Sequence, residues 1–142
     1  KYGEETQAER IAEAIVRERR KEPIRTTGQL ARLLESVVVP GPRRRLHSAR
    51  RTFLALRAWK NKEPEQLEQL LNHVPRCLKR GGVAVIISYH SLEDGPTKAA
   101  MQRWKKEGLC RLLTNSAVKP SDEEIRANPR SRSARLRAAM RI

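Results

Sequence analysis

The run Val83-Ala84-Val85-Ile86-Ile87-Ser88 constrains the fold more than any other stretch of this chain. Consecutive apolar and small residues leave no polar side to turn toward water. They predict a strand buried on both faces, the habit of a parallel sheet in an α/β protein. Open α/β sheets bind ligands just beyond the carboxyl ends of their strands, and there the chain carries Tyr89, His90, Ser91, Glu93 and Asp94. That polar, titratable cluster is the first candidate site.

One modest domain fits within 142 residues. The charge is less ordinary: 31 Lys and Arg against 16 Asp and Glu leave +15, which points to a polyanionic partner, nucleic acid above all. Arginine supplies most of the excess, and its planar guanidinium both grips phosphate bidentately and stacks on bases. Cys77 and Cys110 lie far apart without CxxC spacing, so the expectation is no metal site, no disulfide and a reducing compartment. No apolar stretch approaches the ~20 residues of a membrane span, and no signal peptide is visible. The chain opens at Lys1 rather than Met, from which we expect a processed, truncated or partial product.

Around the strand, apolar residues repeat at helical spacing. Ala8, Ile11, Ala12 and Ile15 share one face of a helix predicted over residues 4–20, which Pro23 ends. Thr26 with Gln29 makes a capping box for a second helix that carries Leu30, Leu33, Leu34 and Val37 and stops before Pro40-Gly41-Pro42. Arg43, Arg44 and Arg45 follow in a predicted exposed loop. Three adjacent guanidiniums repel one another unless phosphate neutralises them, which favours RNA contact over a merely solubilising turn. A third helix sets Ala49, Phe53, Leu56 and Trp59 on one side, with Arg50, Arg51 and Arg57 nearby. Pro64 opens a fourth, carrying Leu67, Leu70, Leu71 and Val74, which Pro75 should end or kink before Gly81-Gly82 turns the chain into the strand.

Beyond the polar cluster, residues 98–106 read as helix and 110–114 as a short strand, and Ser121 with Glu124 makes a capping box. Residues 134–140 are ambiguous: Leu136, Ala138 and Met140 alternate as in a strand, while the residues between them are mostly Arg. Two parts follow, a basic helical one over residues 1–62 and an α/β one over 63–142. The second is short of strands, because a buried parallel strand needs a neighbour on each side.

Several stretches in order carry a resemblance to a known family. They are Tyr2-Gly3-Glu4-Glu5, Ile11-Ala12 through Ile15-Val16, Arg51-Thr52-Phe53 with Ala55-Leu56-Arg57, Gly81-Gly82, and Ser88 through Asp94. Pro120-Ser121, Glu123-Glu124-Ile125 and Asn128-Pro129-Arg130-Ser131-Arg132-Ser133 complete the set. The chain resembles the carboxy-terminal half of the RsmH (MraW) family, S-adenosylmethionine-dependent enzymes that methylate the N4 amine of a cytidine in small-subunit ribosomal RNA. The resemblance implies a Rossmann-like methyltransferase sheet interrupted by a helical insertion. Residues 1–62 would be the later part of that insertion. Residues 83–88 would be the fifth strand, followed by a helix and a terminal strand pair whose last member runs antiparallel.

The same resemblance implies S-adenosylmethionine as cofactor, although no cofactor-binding residue falls in this segment. The family's glycine-rich loop, its acidic ribose ligand and its amine-holding motif belong to an earlier half. No GxGxxG follows a strand here, and Gly81-Gly82 precedes one. The implied partners are small-subunit ribosomal RNA and ribosomal or assembly proteins, with no membrane. A homodimer, or a partner chain supplying the other half, stays open. The sequence departs from the family pattern at Ser48, Arg50, Lys60, Lys62, Pro75 and Gly95-Pro96. The last pair leaves open both the start of the following helix and the aim of His90.

Methyl transfer to a cytosine amine is an in-line displacement in which the protein mainly positions the amine and stabilises shifting charge. The base must first leave its stack and enter a pocket of stacking and hydrogen-bonding groups. Ser88, Tyr89, His90 and Ser91 are the candidate catalytic residues. His90 would take the proton shed by the methylated amine or hydrogen-bond the base, unless it only caps a neighbouring turn. Glu93 and Asp94 are explained by the helix dipole alone. The candidate RNA-binding residues are Arg43, Arg44, Arg45, Arg51, Arg57, Arg130 and Arg132, with Arg51 and Arg57 also able to pair with Glu93. His47 and His73 have no partners at metal-ligand spacing and read as structural or surface groups.

A ribosomal RNA cytidine-N4 methyltransferase, represented by its RNA-facing and closing half, is the leading function. Its rival is a non-catalytic assembly factor or structural RNA-binding protein of the small subunit; a split enzyme is a third reading. The arginine bias and the drift from the family pattern favour the mitochondrial matrix over a bacterial cytoplasm.

Overall fold

The structure, a computed structural model, describes residues 5–38 and 49–142. It divides into two compact units, Lys1–Asn61 and Lys62–Ile142. The first holds three helices: α1 over Ala8–Lys21, α2 over Thr27–Val37 and α3 over Ala49–Lys60. Thr26 begins α2 as its sequence demands. Its hydroxyl accepts the Gln29 amide at 3.2 Å while the Gln29 side chain accepts the Thr26 amide at 2.9 Å. Ile11, Leu34, Val38 and Ala49 form the buried core of this unit, with Ile15, Leu30, Ala31 and Phe53 against it.

The apolar face expected of α3 is only half used. Ala49, Thr52 and Ala58 are buried, whereas Leu56 is 41% and Trp59 65% exposed. The triplet Arg43-Arg44-Arg45 lies outside the described residues.

The second unit runs α4 (Glu63–Cys77), β1 (Val83–Ser88), α5 (Ser91–Lys106), β2 (Cys110–Leu112), α6 (Asp122–Ala127), a 3-10 helix (Pro129–Ser133) and β3 (Arg135–Arg141). The sheet order is β1-β3-β2, with β3 antiparallel to both neighbours. β1 and β2 therefore run parallel to each other, joined through α5, and the last strand of the chain is inserted between them. The second unit is thus helix-rich α/β with a small antiparallel sheet. Among the described residues, no helix is long and apolar enough to cross a membrane.

The turn into β1 needs both of its glycines. Gly81 has φ +79°, and a Cβ on Gly82 would stand 2.8 Å from the Lys79 carbonyl oxygen. Gly81 N–H then donates to the Arg141 carbonyl and Arg141 N–H to that of Gly82, which carries the β1–β3 ladder into the turn.

β1 is covered on one face only, which corrects the expectation of a strand buried on both. Ala84 and Ser88 are buried and Ile86 packs into the core, while Val83, Val85 and Ile87 are each about half exposed. The physical reason is the count of neighbours: α5 covers one side, β3 pairs along one edge, and among the described residues neither the other face nor the other edge is covered. The core on the covered side comprises Leu71 of α4, Ala100, Met101 and Trp104 of α5, Cys110 of β2 and Ala139 of β3.

Two prolines sit inside helices. Pro75 is buried in α4, which ends two residues later at Cys77, close to where the sequence placed the stop. Pro96 behaves differently. α5 begins at Ser91, seven residues before the helix read from sequence, and runs through Gly95-Pro96. The hydrogen bond that Pro96 cannot give is offset by tertiary anchoring of this turn, because Asp94, Thr97, Ala100, Met101 and Trp104 all turn inward.

Candidate active site

The carboxyl end of β1 passes directly into α5 with two residues between them, Tyr89 and His90. His90 is the residue that precedes the helix, extended at φ −148° and ψ 165°, and its side chain caps nothing. Its carbonyl accepts the amides of Glu93 at 3.1 Å and Asp94 at 3.0 Å. The capping role left open for the imidazole is therefore taken by the backbone. His90 Nε2 stands 3.2 Å from Glu93 Oε1, and Nδ1 is buried without a partner among the described residues.

The other oxygen of Glu93 accepts the Tyr89 amide at 3.0 Å. Glu93 thus folds back over the corner and braces the two residues that make it. The Tyr89 ring remains 52% exposed, Ser91 lies at the surface, and the Ser88 side chain is buried on the side facing α5.

Asp94 points the other way. It is buried, and Arg137 of β3 grips it with two bonds, Nε to Oδ1 at 2.8 Å and a terminal nitrogen to Oδ2 at 3.0 Å. Arg135 adds a third bond to Oδ2 at 3.1 Å. The Arg137 bond is the main cause that holds the Asp94 carboxyl below its ordinary range against the opposing effect of burial. The same bond pushes the Arg137 guanidinium up. The dipole reading of Asp94 is thereby extended: its carboxylate does sit in the first turn of α5, and it also ties that turn to the sheet.

The arginine-rich motif reaches the same corner through strand register. Ser88 is paired with Arg135, so residues 128–134, which lead into β3, approach the carboxyl end of β1. Asn128 Oδ1 accepts the Arg130 amide at 3.3 Å, while the buried Ser131 gives both its hydroxyl and its amide to the Asn128 carbonyl. This knot turns Arg130 and Arg132 outward, both exposed. Ser88, Tyr89, His90 and Ser91 thus lie at the end of β1 from which the segment of Arg130 and Arg132 leads into β3. Arg51 and Arg57 lie on α3 in the first unit.

Sequence reasoning missed Arg135 and Arg137. The signal was present in the alternation of β3, where Leu136, Ala138 and Met140 on one face put Arg135 and Arg137 on the other. A buried arginine needs a carboxylate. Among the described residues no group of three or more His, Cys, Asp or Glu could hold a metal ion. Nor do they offer a glycine-rich turn after a strand, the element to which the family resemblance assigns the cofactor.

Known proteins are similar to this chain along its length. The MraW methylase family matches residues 1–142. A protein of Acidobacterium capsulatum named ribosomal RNA small subunit methyltransferase H is 45% identical over 138 residues, covering 97% of this chain and 46% of the relative. Proteins of the same name from Coprothermobacter proteolyticus and Thermomicrobium roseum are each 47% identical, covering 96% and 99% of this chain and 45% and 48% of the relatives. The chain spans about half the length of the curated relatives it matches.

Proposed function

This chain belongs to the MraW methylase family, and on that premise we propose that it forms the carboxy-terminal part of an S-adenosylmethionine-dependent methyltransferase acting on a cytidine N4 of small-subunit ribosomal RNA. Family membership implies a Rossmann-like fold, of which β1, β3 and β2 would be the closing strands. The observation that carries the reading is the pairing of Ser88 with Arg135, which brings the Tyr89-His90 corner and the Arg130-Arg132 loop to one end of β1.

Each residue there has a task suited to its chemistry. The exposed Tyr89 ring offers a face for an unstacked base, and Arg130 and Arg132 offer guanidiniums for the flanking phosphates. His90, whose side chain is 28% exposed, would hydrogen-bond the base or take its proton. The cofactor supplies the methyl group when bound. Its binding residues, and the chain that covers the bare face of β1, would come from the portion of the relatives that these residues do not match. Ribosomal and assembly proteins, or a second copy, are further partners on this reading.

Calorimetry of the full-length gene product with S-adenosylmethionine, followed by methyl transfer to small subunits, tests the proposal. Cofactor binding and methylation are the expected outcome. No heat with S-adenosylmethionine but intact, salt-sensitive RNA affinity would overturn it in favour of a non-catalytic RNA-binding protein. The arginine excess supports a mitochondrial matrix location; a tagged full-length product that stays outside mitochondria would overturn that part.

A further inference from the structure

Two consecutive carboxylates share the first turn of α5, and they act in opposite directions. Glu93 reaches back to the Tyr89 amide and to His90 Nε2. Asp94 reaches across to Arg137 and Arg135 of β3. Between them the corner is held from both ends, since the His90 carbonyl accepts the amides of these same two residues. Gly95 and Pro96 follow directly in the next turn and weaken this end of the helix on its own. What keeps it wound is therefore tertiary, and its polar anchor is a bidentate ion pair between side chains 43 residues apart in sequence.

We propose that Asp94 and Arg137 are positioning residues, whose paired geometry sets the direction in which His90 and Tyr89 face the substrate base. Neither need touch the base. Arg137 is 9% and Asp94 5% exposed, so both act from beneath the corner. A guanidinium fork fixes a carboxylate in plane as well as in distance, which an ammonium or an apolar contact cannot do. Arg135, with one bond and a side chain 49% exposed, assists but does not define the plane. The consequence for catalysis rests on the methyltransferase reading above; the consequence for the corner does not.

The test uses the full-length gene product and two variants. Arg137→Lys keeps the charge and removes the fork. The double variant Asp94→Leu/Arg137→Met replaces the pair by apolar side chains, a change that often preserves stability. Two readouts are taken: the Tyr89 amide and His90 ring resonances by NMR, and methyl transfer to small subunits resolved into kcat and KM.

In both variants the resonances should move, and kcat should fall about ten- to a hundredfold while KM for the RNA stays within about twofold. The Arg137→Lys result stands alone if the double variant does not fold. Unmoved Tyr89 and His90 resonances in a folded variant would overturn the proposal whatever the activity. A double variant that regained full stability and full kcat would overturn it too, reducing the pair to a replaceable structural contact. An inactive wild-type protein whose resonances respond as expected would instead defeat the methyltransferase reading and leave the positioning role standing.

Discussion

The two units solve the burial problem by different means. The first packs Ile11, Leu34, Val38 and Ala49 and turns its many charges outward, so its centre is aliphatic. The second packs a larger cluster around Trp104 and, at its edge, buries Asp94 and Arg137 as an ion pair. An apolar core of that kind tolerates single changes to side chains of similar size and shape, whereas neither member of a buried ion pair can be changed alone without leaving the other uncompensated. Positional constraint is therefore concentrated in the second unit, at the corner where the candidate catalytic residues stand.

The largest expected effect comes from the second core. Trp104→Ala removes a side chain that is 1% exposed and should cost about 3–5 kcal/mol in denaturant unfolding. Leu34→Ala in the first unit should cost about 2–5 kcal/mol. If the two changes shift one shared transition equally, the division into separately stabilised units breaks down.

Arg137→Ala comes next, since it leaves the buried Asp94 carboxylate with only the single bond from Arg135 and should cost about 3 kcal/mol near neutral pH. The pH dependence follows from the direction of the shift. Asp94 is held lower in the folded state than its unfolded value, so the pair contributes fully above that unfolded value, about 3.9, and its contribution is lost as pH falls through the lower folded value. Arg137→Ala should therefore flatten the acid limb of the stability curve. A limb of unchanged steepness would mean that other carboxylates dominate it.

A smaller effect belongs to the first unit. Thr26→Ala deletes the hydroxyl that accepts the Gln29 amide and should cost about 1 kcal/mol, read as a small drop in midpoint. The smallest concerns affinity rather than stability. Replacing Arg130 and Arg132 together with Ala should weaken RNA binding and lower its log–log salt slope by about 2, with no change in unfolding. An unchanged slope would make them solvated arginines.

Local signals predicted the elements that local chemistry decides. Thr26 and Gln29 marked the start of α2, Ser121 that of α6, and Gly81-Gly82 the entry to β1, because a cap or a left-handed turn depends on residues a few positions apart. The start of α5 was misread for the opposite reason. Gly95-Pro96 argues against a helix locally, and the Asp94 anchor that overrides it sits on a strand near the far end of the chain. Burial was legible only as a pattern, not as a face. The spacing of Leu56 and Trp59 marks a helix correctly, yet α3 buries only part of that side. At the site, the motif residues from Ser88 to Asp94 stood out in sequence, whereas Arg135 and Arg137 required the strand register to become visible.

The uncovered side of β1 has a practical consequence for anyone who handles these 142 residues by themselves. Val83, Val85 and Ile87 form an apolar stripe beside backbone amides and carbonyls that no strand among the described residues pairs, and such an edge is a template for another copy of itself. In isolation the polypeptide should self-associate as its concentration rises, and a lysine at Val85 should restore solubility more effectively than any change on the helices.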